Sequence, residues 1–276
     1  MRPDQNQRYQ RQILLKEIGG AGQRKLLNAK VLLVGAGGLA AGCLPWLASA
    51  GVGRIGVMDD DVVELSNLQR QTLFATEDVG RKKVEALAPR LAALNPDCRW
   101  QFYDERLTPA NALARIKAYD IIADGSDNFA TRFLLNDAAY FARRVLVSAA
   151  LAPLQGQLTT LKAFARDARG TPWPCYRSLV PDMEDDAASA PAPCAGLAMP
   201  SALAGVMGAL MAMEILKEIV GFGTSLVGRL LLYDAASGTS RVIRIPWDPA
   251  NPLNGKAARW RDLSHHKQPA ARPAAP

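Results

Sequence analysis

Val31-Leu-Leu-Val-Gly-Ala-Gly-Gly-Leu-Ala40 decides the fold. An apolar run of strand type feeds a glycine-rich turn, and a helical pattern follows over residues 39–50. Gly35, Gly37 and Gly38 allow backbone N–H groups to approach a phosphate closely, at the positive end of a helix dipole. Ala40 stands where the third small residue of that fingerprint belongs. A second apolar run, Arg54–Met58, ends in Asp59-Asp-Asp61, and Asp59 follows Gly38 by 21 positions. A carboxylate there can accept hydrogen bonds from ribose hydroxyls. Strand, turn, helix and acid together read as a nucleotide-binding unit rather than as a ligand-free strand–helix turn. No G-x-x-x-x-G-K-[ST] occurs, which excludes a P-loop ATPase.

Outward from this unit, strands and helices alternate. Residues 8–23 are polar–apolar at helical spacing, and residues 84–94 predict a helix ended by Asn95-Pro96. Residues 120–124 predict a third short buried strand, 131–141 a helix and 145–149 another strand. Later strands over 157–163, 229–233 and 241–245 are expected to be antiparallel. The fold class is therefore α/β, a Rossmann-like, mostly parallel doubly wound sheet with an antiparallel C-terminal extension. One domain over residues 1–263 is expected, with a long crossover loop at 166–195 and a disordered tail at 264–276. The apolar stretch 197–213 contains Pro200 and is too interrupted for a membrane span, so Met207, Met211 and Met213 read as core.

Composition narrows the function classes. The 276 residues are 49% hydrophobic and 21% charged, which supports a core and excludes a disordered chain. Net charge is +7, yet no basic run or aromatic-interleaved patch points to nucleic acid. An acidic protein partner or a polyphosphate fits that charge as well. Four cysteines, Cys43, Cys98, Cys175 and Cys194, form no C-x-x-C pair, and nothing at the N-terminus resembles a signal peptide. A cytoplasmic setting with reduced thiols follows.

A second polar set has spacing of its own. Asn67 and Arg70 lie one helical turn apart in Ser66-Asn-Leu-Gln-Arg-Gln71, Lys83 follows in Gly80-Arg-Lys-Lys-Val84, and Asp127 and Asn128 come just past the strand at 120–124. In an open α/β sheet the carboxyl ends of the strands converge on one crevice. Two cations and a carboxylate suit nucleoside triphosphate chemistry, because the cations neutralise phosphate oxygens and the carboxylate holds Mg²⁺. Taken singly, Arg70 and Lys83 read equally well as solvated surface charges. A dinucleotide-dependent oxidoreductase would not need two cations at the phosphates.

These residues carry a resemblance. Arg8-Tyr-Gln-Arg-Gln12, the glycine turn, Asp59-Asp-Asp61, Ser66-Asn-Leu-Gln-Arg-Gln71, Val79-Gly-Arg-Lys-Lys-Val84, Gly125-Ser-Asp-Asn128 and Met211-Ala-Met-Glu-Ile-Leu-Lys217 occur in this order. Over about residues 8–255 the chain resembles the bacterial relatives of ubiquitin-activating enzymes, the adenylyltransferases of HesA/MoeB/ThiF type. Within that family it is most similar to the molybdopterin-synthase branch. The resemblance implies adenylylation, with Mg-ATP, of the C-terminal Gly-Gly carboxylate of a ubiquitin-like sulfur carrier in molybdenum cofactor biosynthesis. The thiamine thiazole branch is the alternative. It implies that Gly35, Gly37 and Gly38 lie along the phosphates and that Asp59 binds ribose. Ser66, Asn67, Leu68, Gln69, Arg70 and Lys83 would surround and neutralise the phosphates. Asp127 would hold Mg²⁺ with Asn128 beside it. Arg11 matches an arginine that reaches into the partner subunit's ATP site, so a homodimer is implied. No sulfurtransferase segment follows, so a separate protein is expected to supply the sulfur.

Two features depart from the family pattern. Many members hold a structural zinc with two C-x-x-C pairs. Here the first pair is reduced to Cys175-Tyr-Arg-Ser178, and the second is absent from Trp247-Asp-Pro-Ala-Asn-Pro-Leu-Asn-Gly255. Zinc needs four ligands, and His265 and His266 fall in the expected tail, so no zinc site is expected. Cys194 matches a loop cysteine that forms a covalent link in some members, whereas Cys43 reads as packing. Two other classes stay open: a catalytically inactive nucleotide-binding module and a dinucleotide-dependent oxidoreductase.

Overall fold

The apolar runs become one eight-stranded sheet in a computed structural model, which describes residues 1–180 and 198–267. Its strands are β1 (Lys30–Val34), β2 (Arg54–Met58), β3 (Arg99–Tyr103), β4 (Ile121–Asp124), β5 (Val145–Ala152), β6 (Gln155–Leu161), β7 (Arg229–Asp234) and β8 (Thr239–Arg244). They are ordered β3-β2-β1-β4-β5-β6-β7-β8; the first five run parallel and β6, β7 and β8 antiparallel. Both faces of β1 are covered: Val31 and Leu33 pack into one layer, Leu32 and Val34 into the other. Burial on both faces is why this strand reads as a continuous apolar run.

The helices are α1 (Pro3–Arg8), α2 (Gln10–Ile13), α3 (Gly19–Asn28), α4 (Gly38–Ser49), α5 (Lys83–Leu94), α6 (Ala112–Lys117), α7 (Phe129–Ala142), α8 (Tyr176–Leu179) and α9 (Ser201–Val220). α4, α5 and α9 supply the core on the Val31 face, and α6, α7 and α8 that on the Leu32 face. The strand order reverses between β1 and β4, and a crevice opens outside their carboxyl ends.

Helices α4 and α9 meet through glycine. A Cβ on Gly42 would lie 2.6 Å from the Gly205 carbonyl oxygen, and one on Gly208 would collide with the Leu39 carbonyl and with Gly42. A Cβ on Gly205 would meet nothing within 4 Å. Gly42→Ala or Gly208→Ala is therefore expected to cost about 1–3 kcal/mol by overpacking, read as a lower Tm. Gly205→Ala, in the same helix, is expected to be neutral or to stabilise by about 1 kcal/mol through helix propensity. Equal effects at all three positions would show that the close approach is not what selects glycine.

Several expectations are corrected. The strand at 120–124 is the fourth, not the third, because β3 and α6 intervene. β3 escaped the reading because Arg99-Trp-Gln-Phe-Tyr103 is an edge strand of alternating character. The helix expected at 8–23 is broken at Tyr9 and again between Ile13 and Gly19, the first residue of α3, whose φ of +57° lies in the left-handed region. Of the loop expected at 166–195, residues 166–180 fold back through an Arg166–Pro172 bridge into α8. Met207 and Met211 are buried in α9, but Met213 is exposed. Ser264 to Lys267 do not begin a disordered tail: His265 stacks on Trp260, and both His265 and His266 contact the buried Asp137. No described helix is long and apolar enough to cross a membrane.

Candidate functional site

The glycine turn and the loop after β4 touch at the crevice floor. Gly35 has φ +95°, and a Cβ there would lie 2.7 Å from the Gly125 carbonyl oxygen. The end of β2 pins the same turn. Ala36 N–H donates to Asp59 Oδ2 at 2.6 Å, Asp61 N–H donates to Asp59 Oδ1 at 2.8 Å, and Gly35 N–H donates to the Met58 carbonyl at 2.8 Å. Gly37 caps α4, whose first-turn amides have no acceptor within the helix and carry the positive end of its dipole.

Around this floor the fold collects most of the expected residues. Gly35, Gly37, Gly38 and Asp59 line one cleft with Arg70, Lys83, Asp127 and Asn128. Lys83 opens α5 with its side chain only 7% exposed, and its Nζ lies 3.1 Å from Asp61 Oδ2. Burial pushes the Asp59 carboxyl above the ordinary carboxylate range; Lys83 and the Ala36 amide oppose the rise, while Asp60 and Asp127 add to it. Asp59, Asp60 and Asp61 carry oxygens close enough to share one metal ion. Asp127 is exposed to the cleft, with Asn128 Nδ2 at 3.3 Å. Asn128 Oδ1 accepts from Thr131 N–H at 2.9 Å and so caps α7.

Other expected residues lie outside the cleft lining. Asn67 is buried and accepts from Glu64 N–H at 3.3 Å, while its carbonyl receives the amides of Arg70 and Gln71. Ser66 O accepts from Arg70 Nη1 at 3.2 Å, Gln69 Nε2 donates to the Met199 carbonyl at 2.9 Å, and Leu68 packs on the core. These four shape the turn that delivers Arg70. Arg11 is exposed on α2, away from the cleft of its own chain. Cys194 lies outside the described residues, and Cys43 is fully buried, with its thiol pushed up by burial.

Two parts of the site had no reading in the sequence. Glu105, Arg106 and Leu107 form a wall after β3. The second is a buried network beneath Asp127. Asp124 Oδ1 accepts from the Ser126 amide at 3.0 Å and its hydroxyl at 2.6 Å, and Oδ2 accepts from Ser148 Oγ at 2.7 Å and Arg132 Nη1 at 3.3 Å. Arg132 also donates to the carbonyls of Ser126 and Ala149. An arginine inside the apolar helix Phe129–Ala142 was the available signal.

The positions that departed from the zinc pattern are brought together. Asn251 Nδ2 donates to Cys175 Sγ at 3.1 Å and Ser178 Oγ at 3.3 Å, and Asn254 Nδ2 donates to the Trp173 carbonyl at 2.9 Å. Asn251 Oδ1 is taken by the Leu253 and Asn254 amides, and one thiol beside a hydroxyl and carboxamides does not match the four thiolate or imidazole ligands of a structural zinc ion.

The profile of the ThiF family matches residues 9–253. The chain belongs to the ThiF family. It is 43% identical over 256 residues to the sulfur carrier protein adenylyltransferase of Thermus thermophilus, covering 93% of each chain. It is 41% identical over 252 residues to the probable adenylyltransferase/sulfurtransferase MoeZ of Mycobacterium tuberculosis, covering 89% of this chain and 61% of that one. The ThiF-family chain thus spans nearly all of the first relative and about three-fifths of the second. Among solved structures, MccB of E. coli superposes with a TM-score of 0.76 at 22% identity, covering 95% of this chain and 74% of that one. That likeness concerns the fold. By its family and these relatives the chain is a nucleotidyltransferase of the adenylyltransferase type.

Proposed function

We propose that this ThiF-family chain uses Mg-ATP to adenylylate the C-terminal Gly-Gly carboxylate of a small ubiquitin-like sulfur carrier. The observation that carries the reading is the gathering of Arg70, Asp127 and the buried Lys83 around the glycine turn. No cysteine or histidine lines that cleft among the described residues, and Ser126 Oγ is committed to Asp124. The nucleophile is then the carrier's carboxylate. It attacks the α-phosphate, pyrophosphate leaves, and an acyl-adenylate forms that is ready to accept sulfur. Lys83 and Arg70 neutralise the phosphates, the α4 amides lie along them, and Asp59 receives the ribose hydroxyls. Asp127 would hold Mg²⁺, which would offset phosphate charge. Catalysis is positioning and charge neutralisation.

The molybdopterin-type carrier is the substrate we favour, because the zinc cysteines are missing and the Asn-Pro-Leu-Asn-Gly255 segment instead hydrogen-bonds Cys175 and Ser178 through Asn251. No zinc is held there. In a homodimer Arg11, exposed and outside the lining of its own chain's cleft, would serve the other copy. A separate sulfurtransferase would act on the adenylate, in the cytoplasm, where thiols stay reduced; three free cysteines are buried in the described chain.

ATP–pyrophosphate exchange tests the reading. Exchange is expected only when a Gly-Gly-ending carrier is added, and is expected to vanish when EDTA removes Mg²⁺. ATP binding with no exchange would mark an inactive nucleotide-binding module, and reduction of a nicotinamide cofactor would mark an oxidoreductase. Molybdopterin and thiamine carriers, offered in competition, decide the branch.

A further inference from the structure

Asp137 in α7 is fully buried and surrounded by more donors than a carboxylate needs. Its Oδ2 lies 2.8 Å from Arg177 Nη2, 2.7 Å from His265 Nε2 and 2.9 Å from His266 Nε2. Its Oδ1 accepts from Asn136 Nδ2 at 2.7 Å and Arg177 Nε at 3.0 Å. A carboxylate oxygen offers two lone pairs. Arg177 takes one on Oδ2, and two imidazole nitrogens compete for the other. A cation resolves that competition, because it accepts an electron pair from each ring and one from the carboxylate.

We propose that Asp137, His265 and His266 form a binding site for a divalent transition-metal ion of the zinc class. The three ligand atoms lie within 4.8 Å of one another, a span that a metal with bonds of about 2.0–2.2 Å can bridge with small side-chain shifts. Two imidazoles and one carboxylate suit zinc, cobalt or nickel better than magnesium. The supporting groups are in place. His265 stacks on Trp260 with centroids 4.0 Å apart and planes at 4°, and Arg177 lies over the same indole at 4.1 Å. Arg177 and Asn136 orient the carboxylate, as hydrogen bonds behind a metal ligand do. Each imidazole binds through Nε2 as a neutral ring with its proton on Nδ1. Both histidine side chains are 11% exposed, so an ion can enter from solvent and keep a water on its open position.

The site is separate from the nucleotide cleft, whose lining includes none of the three residues. It also differs from the Cys175–Asn251 cluster, whose soft electron-pair donor is the single thiol of Cys175. Its ion would fasten the segment from Trp260 to His266 onto α7.

The test uses the untagged full chain, stripped with a chelator and free of nucleotide. Titration with Co²⁺ is expected to give one equivalent of strong visible absorption of the tetrahedral or five-coordinate type. His265→Gln and His266→Gln are each expected to weaken Co²⁺ binding tenfold or more, and Zn²⁺ is expected to raise the Tm of the wild-type chain but not of the double variant. Asp137 is left in place because it is buried against Arg177. Absorption that is weak, octahedral in type and unchanged in the variants would assign the ion to the carboxylates of Asp59, Asp60 and Asp61 and overturn the proposal. No absorption in the wild-type chain overturns it too, whatever the variants do.

Discussion

Asp127→Ala is expected to lower carrier-dependent ATP–pyrophosphate exchange on the order of 10²-fold or more, the usual loss for a missing transition-state charge partner, with little change in Tm. The separation of the two effects follows from its setting. Asp127 is exposed at the cleft, and the hydrogen bond it receives comes from its neighbour Asn128. Removing its carboxylate leaves the Asp124–Arg132 network and the α7 cap intact. Asp127→Asn keeps the shape and removes the charge, so it should fail as alanine does. Exchange within a few-fold of wild type in both variants would show that the metal and phosphates are held elsewhere.

Arg132→Met is expected to lose about 3–5 kcal/mol of stability, the cost of removing one partner of a buried pair, and to lose exchange as well. The Arg132 and Asp124 side chains are 4% and 1% exposed. Without the guanidinium, Asp124 keeps only hydroxyl and amide partners, and the carbonyls of Ser126 and Ala149 lose a charged donor. Arg132→Lys should not rescue, because one ammonium cannot span Asp124 and two carbonyls with the reach of a planar fork. Denaturant unfolding measures the first effect and ATP–pyrophosphate exchange the second. A loss below about 1 kcal/mol would mean that Asp124 is satisfied without its cation, against the usual cost of leaving a buried charge unpaired.

The parts of the site legible in the sequence are those where local chemistry and position coincide. Gly35, Gly37 and Gly38 follow an apolar strand and open a helix, and both neighbours are visible in the residues themselves. Asp59 and Asp127 each come just past the end of a strand, and strand ends in a parallel sheet face one crevice. What stayed hidden depends on partners distant in the chain. Arg106 reaches the cleft only because β3 pairs with β2, and that edge strand has no continuous apolar run. Arg132 is unremarkable until Asp124 and Ala149 meet it. His265 and His266 looked like part of a polar tail because Pro and Ala follow them, yet Trp260 and Asp137 hold them from two sides. Met213 shares its helix with buried Met207 and Met211 but falls on the opposite side. Helical spacing alone separates those faces, and a stretch apolar on all sides hides it.

The carboxylate of Asp59 has two employers. Each of its oxygens already accepts a backbone N–H, one from Ala36 in the glycine turn and one from Asp61. On the proposed reading, sugar recognition and the shape of the glycine turn would share one side chain. A substitution chosen to admit a different nucleotide would also release the turn at Ala36 and shift the α4 amides. Nucleotide preference set at position 59 would then be tied to loop geometry, and changing it would need a second substitution that restores an acceptor for Ala36.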